Sequence, residues 1–428
     1  MIINMIDKFQ EERDVAQDIK VVGVGGGGGN AVTNMYREGI HDVSFVLCNT
    51  DSQALQESEV PVKICLGPTI TRGGGSGNKP KVAEAAALES ESDIRKMLSD
   101  GTRMIFITAG MGGGTGTGAA PVIARIAKEM DILTVGIVTI PFKFEGRTKI
   151  IQAMKGVEKI RENVDALLVV NNDRLSKIYP DLSVINAFKK ADNTLTIAAK
   201  SIAELITLPG NINLDFADVH TTMKDGGVAL MSNGYGKGER RLEQAIENAF
   251  YSPLLNSNNV FTAKKILFNI SFSEEAELKM EELDFVEDFM ARFDPQIDVI
   301  WGYAVDEKLG ENVKFTVLAT GFDLDDIPEI KKHGEVEIEE IMRRFYTYDE
   351  GKKLLPSVSP ASIVILTPEE MDNEQIITML EDNPTYNRDR KLISQLRTKM
   401  AKEIAGDLPA EVSVNTYSGV KQTKIRFN

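Results

Sequence analysis

The chain has 428 residues, of which 42% are hydrophobic and 26% charged, a composition typical of a folded protein with two or three domains. Its net charge of −15 argues against a nucleic-acid surface, because such a surface needs clustered lysine and arginine. No apolar run approaches the roughly 20 residues of a membrane-spanning helix, and no signal peptide is evident. We therefore expect a cytoplasmic protein that does not insert into a membrane.

Strands and helices alternate from residue 19 onwards. The predicted elements are, in chain order, a strand over 19–24, a helix over 30–38, a strand over 43–49, a helix over 80–98, a strand over 102–109, a helix behind residue 118, a strand over 134–140, a helix over 148–163 and a strand over 166–170. Apolar β-branched runs between amphipathic helices indicate a Rossmann-like α/β fold, with a mainly parallel sheet covered on both faces. A ligand would bind at the carboxyl edge of such a sheet.

A long, largely apolar helix over 188–208 is predicted next, buried between layers. A second α/β region follows, with a helix over 239–250 and strands over 265–272, 296–304 and 314–320. Acidic and polar residues then predict a flexible tail. The predicted organisation is an N-terminal extension over 1–18, a first α/β domain over 19–187, a core helix over 188–210, a second α/β domain over 211–322, and an acidic linker and tail over 323–428.

Six glycines and two threonines occupy Gly110–Gly118, between a predicted strand and a predicted helix. Glycine lets a phosphate approach the backbone amides closely, and the helix that follows directs free amides at an anion. Thr115 and Thr117 can add hydroxyl donors. This stretch predicts a phosphate cradle.

A second glycine block, Gly23–Gly28, fits the pattern G-x-G-x-x-G, and Asp51 closes the next strand. Taken alone, this pattern predicts an NAD-dependent oxidoreductase. Two phosphate loops instead favour a triphosphate, and the lysine of the Walker pattern is absent. A third glycine-rich stretch, residues 71–78, either closes over the terminal phosphate or forms a surface loop.

Further polar residues follow predicted strands. Glu145 could accept hydrogen bonds from a ribose, and Asn172, Phe188 and Asp192 suit a ribose or purine edge, although each also fits a turn, cap or core position. The segment 213–218 carries Asn213, Asp215 and Asp218. Its carboxylates could orient or deprotonate a water that attacks phosphorus, or they could merely cap a helix that begins near Asp218.

Together these motifs resemble the tubulin/FtsZ family. The similarity covers roughly residues 19–322 and is carried by the glycine blocks and by the motifs at 49–55, 141–146 and 213–218. The resemblance implies a GTPase that binds GTP or GDP with Mg²⁺ and has no metal site of its own. It also implies a long core helix, a C-terminal activation domain, and a division protein located at midcell.

Residue roles follow from the resemblance by position. It implies that phosphates are held by Gly26, Gly27, Asn30, Gly112, Gly113, Gly114, Thr115, Gly116 and Thr117. It assigns ribose to Glu145, assigns guanine to Asn172, Phe188 and Asp192, and adds Lys149, which stands where the family commonly has an arginine.

In that family the loop of Asn213, Asp215 and Asp218 enters the nucleotide site of the next subunit. The resemblance therefore implies self-association into head-to-tail filaments, with hydrolysis completed in trans. Membrane-adaptor proteins are the other expected partners, through the C-terminal tail. The tail lacks a clear adaptor-docking peptide, so either residues 424–427 take its place or the natural terminus lies beyond residue 428.

Overall fold

A computed structural model describes residues 18–40, 43–207, 214–250, 260–294, 296–322 and 377–378. Asn213 lies outside this part of the chain. So do nearly all of the predicted N-terminal extension and nearly all of the predicted linker and tail, including residues 424–427.

The described residues form ten strands and twelve α-helices, joined by loops and short 3-10 turns. In chain order these are β1 (Ile19–Val24), α1 (Gly25–Glu38), β2 (Val43–Asn49), α2 (Ser52–Glu57), β3 (Val62–Cys65), α3 (Pro68–Thr71), α4 (Pro80–Glu89), α5 (Glu91–Leu98), β4 (Met104–Gly110), α6 (Thr115–Glu129), β5 (Leu133–Ile140), α7 (Arg147–Arg161), β6 (Ala166–Asn171), α8 (Asn172–Ile178), α9 (Val184–Thr207), α10 (Phe216–Met223), β7 (Gly227–Gly236), α11 (Arg241–Phe250), β8 (Lys265–Phe272), α12 (Asp284–Met290), β9 (Asp298–Val305) and β10 (Val313–Phe322).

All ten strands belong to one sheet, in the order β3-β2-β1-β4-β5-β6-β7-β10-β8-β9. From β3 to β7 every pair is parallel, β10 runs antiparallel to both of its neighbours, and β8 and β9 are parallel. Only two residue pairs join β6 to β7, Ala166 with Gly227 and Leu167 with Val228. The prediction of a mainly parallel α/β sheet is confirmed.

Helices cover both faces of the parallel part, which is why its strands are apolar along almost their whole length. Helices α4 to α7 bury one apolar cluster, and α1, α9 and α10 bury another on the opposite face. The 24-residue α9 corresponds to the predicted core helix but begins at Val184, four residues before the predicted start, and residues 208–210 lie outside the described part of the chain. Its buried side chains, such as Leu195 and Ile202, share a cluster with Leu267 and Leu318 of the second half. Burial raises the pKa of the Cys48 thiol to about 12, which keeps that thiol protonated and unreactive.

The first helix begins earlier than the sequence pattern predicts. The expected helix starts at residue 30, whereas α1 starts at Gly25, so the glycine block is itself helical. Its glycines let the helix backbone lie directly on the sheet: a Cβ on Gly28 would be 2.1 Å from the carbonyl oxygen of Thr108 in β4. Helix propensity argues against five glycines in a helix, and this contact overrides it.

Other features also differ from the predictions. The single helix expected over 80–98 is divided at Ser90, whose hydroxyl accepts a hydrogen bond from the amide of Gly67 at 3.0 Å. Strand β7 has no counterpart among the predicted elements, because its glycines interrupt the apolar pattern. Those glycines admit α11: a Cβ on Gly234 would be 1.9 Å from the carbonyl oxygen of Ala245.

Candidate functional site

The two glycine loops meet at the carboxyl edge of the sheet. Strands β1 and β4 are parallel neighbours, with Val24 beside Ala109, so the loops that follow them emerge side by side. A Cβ on Gly27 would be 3.5 Å from Gly110, and one on Gly25 would be 2.9 Å from the amide nitrogen of Gly116. The first turns of α1 and α6 therefore present their amides to one shared region.

That region has free donors and free space. Within the described residues, no protein group accepts from the amides of Gly113, Gly114, Thr115 and Gly116. A Cβ on Gly26, Gly29 or Gly113 would meet nothing within 4 Å. Unpaired amides at two helix N-termini, with open space before them, fit a phosphate chain.

Hydroxyl groups connect the third glycine-rich loop, residues 71–78, to this cradle. Thr115 Oγ1 lies 2.7 Å from Thr50 Oγ1 and 3.3 Å from Ser76 Oγ. The amide of Gly75 donates to the carbonyl oxygen of Thr50 at 3.0 Å. The loop therefore packs against the phosphate cradle, a position that closing over the terminal phosphate would require.

Thr117 and Gln152 hold the cradle from behind. The buried Thr117 hydroxyl accepts from the Gly112 amide at 2.9 Å, so this side chain braces the loop and does not face the open region. The Gln152 side-chain amide donates to the carbonyl oxygens of Gly112 at 3.0 Å and Gly113 at 2.9 Å. Any contact of Thr117 with phosphate would have to come from its backbone amide.

An aromatic and amide cluster lies at the carboxyl ends of β5 and β6. Phe188 is 38% exposed and packs edge-on against Phe142, with ring centroids 5.1 Å apart, and against the exposed Phe144. Asn172 is 6% exposed, yet its side-chain oxygen has no hydrogen-bond partner within the described residues. An exposed ring face beside an unpaired amide oxygen is suited to a purine that carries N–H donors.

Asp192 and Asn30 connect the aromatic and amide cluster to the helix that begins the phosphate cradle. The Asn30 side chain hydrogen-bonds the Asp192 carboxylate, which brings α1 and α9 together. Burial raises the pKa of Asp192 to about 6, and the Asn30 hydrogen bond opposes that rise. A base that donates N–H groups to this carboxylate would stabilise its charged form.

Glu145 is held by its own loop. Its carboxylate accepts from the Phe142 amide at 2.8 Å and pairs with Lys149 at 3.3 Å, and 15% of its side chain is exposed. The turn from Phe142 to Glu145 is fixed further by Asp173, which accepts from the amide of Lys143 at 3.2 Å. Glu145 and Lys149 thus form one ion pair where the turn after β5 leads into α7.

The two candidate catalytic carboxylates lie at the opposite edge of the sheet. Asp215 precedes α10 and accepts from the Asp218 amide at 2.9 Å, while Asp218 accepts from the Asp215 amide at 3.0 Å. Between them, Phe216 lies 4.0 Å beneath the guanidinium of Arg103, which directly precedes β4. The cradle follows the other end of β4, and the seven residues of that strand span about 20 Å. In a single chain these carboxylates cap their own helix and stand far from the phosphate cradle.

Comparisons with known proteins agree along the chain. Residues 18–180 match the profile of the tubulin/FtsZ family GTPase domain, residues 227–323 the FtsZ family C-terminal domain, and residues 360–403 a further FtsZ C-terminal profile. The cell division protein FtsZ of Porphyromonas gingivalis is 53% identical over 92% of this chain and 91% of its own length. That of Wigglesworthia glossinidia brevipalpis is 43% identical over 79% of this chain and 88% of its own length. The chain belongs to the tubulin/FtsZ family.

Solved structures of tubulin/FtsZ proteins have the same fold. An empty FtsZ dimer from M. jannaschii superposes with a TM-score of 0.69 at 37% identity, covering 78% of this chain and 97% of its own. CetZ2 from Haloferax volcanii, at 19% identity and a TM-score of 0.62, shares the fold. Membership of this family identifies the chain as a GTPase of the cell-division cytoskeleton.

The alternative of an NAD-dependent oxidoreductase is wrong, because the matches are to the tubulin/FtsZ family. The structure supplies a physical reason as well. The Asp51 carboxylate, which would hold the ribose of NAD, instead caps α2 by accepting from the amides of Gln53 and Ala54. The glycines after β1 do connect a strand to a helix, as the pattern requires, but Asp51 caps a helix and does not face a ligand.

Sequence reasoning missed several groups around the site. Gln152 contacts the phosphate cradle but lies in no pattern that predicts a ligand. Thr50 and Ser76 also contact it, from within the motif at 49–55 and the glycine-rich stretch at 71–78, although the sequence did not single them out. In Ser76 a signal was present, since it interrupts a run of glycines in the third loop. No described residue belongs to a helix that could span a membrane.

Proposed function

We propose that this chain is a GTP-dependent polymerising GTPase that assembles head-to-tail into protofilaments of the bacterial division ring. The observation that carries the proposal is the distance between the cradle and the carboxylates. The amides of Gly113 to Gly116 lie at one edge of the sheet and Asp215 at the other, about 20 Å away along β4. A subunit stacked on another in the same orientation would bring one edge against the other.

In this proposal the triphosphate lies along the cradle formed by α1 and α6. The amides of Gly26, Gly27 and the residues from Gly113 to Thr117 would line it, and Thr115 would add a hydroxyl, while Gly112 would contribute the bend of the loop because its amide is held by Thr117. Free amides at helix N-termini stabilise negative charge without any lysine, which is consistent with the absence of a Walker motif.

Guanine would lie against Phe188, with its N–H groups donating to Asp192 and to the unpaired oxygen of Asn172. Glu145 would accept from the ribose, with Lys149 holding its carboxylate. Asn30, bonded to Asp192, reaches from the phosphate helix to the base site. This arrangement favours guanine because a carboxylate accepts from its adjacent N–H donors and repels the acceptor atoms of adenine.

Hydrolysis would then need two subunits. Asp215 and Asp218 of one subunit would polarise the water that attacks the terminal phosphate held by the cradle of the next, and Asn213 is the third catalytic residue that the family resemblance implies. Mg²⁺ binds mainly through nucleotide phosphates and would neutralise their charge. The amides of the cradle would stabilise the charge that develops in the transition state.

We propose that this activity serves cell division. The similar proteins from Porphyromonas gingivalis and Wigglesworthia glossinidia are both cell division proteins by name. We place the filament in the cytoplasm at midcell, where the C-terminal tail would bind a membrane-adaptor protein. Residues 424–427 are the basic and apolar segment that would dock there.

A carboxylate-to-amide substitution separates the two roles of Asp215. Asp215→Asn keeps the helix cap, because Asn caps as well as Asp, but removes the charge that would activate water. We expect the Asp215→Asn protein to bind GTP and to form filaments, with phosphate release reduced at least about 100-fold. Asp215→Ala should lose the same activity and also about 1 kcal/mol of stability.

Mixing two inactive variants tests catalysis in trans. In Gly113→Asp, the new carboxylate enters open space and repels the phosphates, so this variant should fold without binding GTP. A one-to-one mixture with Asp215→Asn should recover phosphate release that neither variant shows alone, because a Gly113→Asp subunit still supplies its carboxylates to the intact cradle of an Asp215→Asn subunit. Random copolymerisation sets the upper limit at about a quarter of the wild-type rate per subunit, since a quarter of random contacts pair an intact cradle with intact carboxylates. No recovery, with both variants folded and copolymerising, would refute the proposal. GTP binding without any phosphate release by the wild-type protein would indicate a non-catalytic scaffold.

A further inference from the structure

Gln152 has contacts that neither the sequence pattern nor the proposed roles explain. It lies on α7, partly exposed, and its side-chain nitrogen donates to two consecutive carbonyl oxygens, those of Gly112 and Gly113. A third acceptor, the side-chain oxygen of Asn78 in the glycine-rich loop, is 3.4 Å away. Three acceptors around one atom require that atom to be the amide nitrogen of Gln152.

We propose that Gln152 is a positioning residue for GTP binding and hydrolysis, which fixes the direction of the cradle amides. In a trans peptide the carbonyl oxygen and the following N–H point to opposite sides. Because Gln152 draws the oxygens of Gly112 and Gly113 towards α7, the N–H groups of Gly113 and Gly114 point away from α7. Successive N–H groups on one side form a concave anion site.

The backbone conformation explains why the loop needs these two hydrogen bonds from Gln152, which we call the clamp. Gly112 has φ +99°, a region that only glycine enters freely, and consecutive glycines have many alternative conformations. Its amide is held by the Thr117 hydroxyl, and Gln152 holds the next two carbonyl groups. Without Gln152, the peptide groups after Gly112 could rotate, so the loop would have to be ordered when the nucleotide binds. That ordering would lower the affinity for phosphate.

Gln152 also joins three parts of the site. It is anchored on α7, contacts the cradle directly, and approaches Asn78 of the third loop. Helix α7 begins at Arg147, immediately after the turn that holds Glu145. The clamp therefore fixes the phosphate side and the ribose side of the site relative to each other.

This inference rests on the proposed function, since it takes the cradle to be a phosphate site. The test measures GTP binding by calorimetry in EDTA, at protein concentrations where light scattering detects no filaments, for the wild type, Gln152→Met and Gln152→Ala. Methionine keeps the length of the side chain and the helix propensity but has no N–H donor. We expect both variants to bind GTP about tenfold more weakly, the effect of removing two neutral hydrogen bonds of modest net strength.

Two further measurements distinguish positioning from a general loss of structure. Guanosine, which has no phosphate, should bind the variants and the wild type within about twofold, and the melting temperature of the nucleotide-free protein should hardly change. The matched control is Gln244→Ala. Gln244 lies on α11, far from the cradle along the sheet, and its side chain accepts from the amide of Lys237. It should leave GTP affinity unchanged.

Three results would be informative in different ways. If Gln152→Met binds GTP as tightly as the wild type, the positioning role is wrong. If guanosine and GTP weaken equally, Gln152 supports the fold as a whole and the role is again wrong. If the wild-type protein itself binds guanosine as tightly as GTP, the cradle is not a phosphate site, and the proposed function fails before the role of Gln152 is reached.

Discussion

Replacement of Gly28 by alanine tests how closely α1 lies on the sheet. A Cβ at this position would be 2.1 Å from the carbonyl oxygen of Thr108 and 2.9 Å from its carbonyl carbon. The neighbouring Gly29 offers a matched control, because a Cβ there would meet nothing within 4 Å. Both residues lie in the first turns of the same helix.

The expected magnitude combines two opposing effects. Alanine is favoured over glycine in a helix by about 1 kcal/mol, and both variants gain this term. At Gly28 the helix must also move outwards by about 1 Å to relieve the clash, and overpacking of this kind costs about 1–3 kcal/mol. The shift also stretches the hydrogen bond from the Thr108 hydroxyl to the Gly28 carbonyl, now 3.3 Å. We expect Gly28→Ala to be less stable than Gly29→Ala by about 2–3 kcal/mol.

Urea denaturation of the nucleotide-free proteins, followed by circular dichroism, measures this difference. The free energies of unfolding should fall in the order Gly29→Ala, wild type, Gly28→Ala. GTP affinity should also fall for Gly28→Ala, because a displaced α1 carries its first-turn amides away from the phosphates. If the two variants unfold at the same urea concentration, the close contact between α1 and β4 is wrong.

Two other outcomes follow from charged groups. Because the pKa of Asp192 is raised to about 6, its carboxylate is ionised at pH 7.5 and becomes protonated as the pH falls through 6. GTP affinity should therefore drop by up to about tenfold per pH unit below that value. In binding titrations between pH 7.5 and 5, Asp192→Asn should not show this drop. By the same linkage, the raised pKa makes the ionised group destabilising, so the nucleotide-free protein should gain stability from Asp192 as the pH falls from 7 to 5. Lys314 in β10 forms an ion pair with Glu204 of α9 at 2.8 Å, and the two side chains are 10% and 21% exposed. Lys314→Met should lower the free energy of unfolding in urea by about 2 kcal/mol, because it leaves a half-buried carboxylate without its partner. Adding Glu204→Gln should recover much of this loss. The control is Lys237→Met, which breaks the ion pair with Glu311, whose side chains are 67% and 78% exposed, and it should have little effect on stability. Equal losses of stability for both lysine variants would contradict the reasoning.

Periodicity alone predicts much of the fold. The bounds of β1, β2 and β8 agree with the sequence prediction, because continuous runs of apolar residues bounded by turns are a strong signal for buried strands. Strand β7 was missed for the opposite reason. Its glycines look like loop residues, and they are required only because α11 packs its backbone onto the strand.

The site divides in a similar way. Glycine density predicts the phosphate cradle, since few other structures need six glycines in nine residues. Gln152 could not be predicted, because a single glutamine on an amphipathic helix is common and its role depends on which carbonyl groups the fold places within 3 Å. The cap formed by Asp215 and Asp218 was one of two alternatives from sequence, and the structure shows that cap without excluding their action on a neighbouring subunit.

In the proposed filament, the separation of the cradle from the carboxylates would make the two ends unequal. At one end the last cradle would have no neighbour to supply carboxylates, and at the other the last pair of carboxylates would have no nucleotide to act on. A filament of n subunits would thus contain n − 1 complete sites, and one GTP per filament would stay intact however long the others had been hydrolysed. Short filaments would be disproportionately slow, and breaking a filament would protect one more nucleotide at each break.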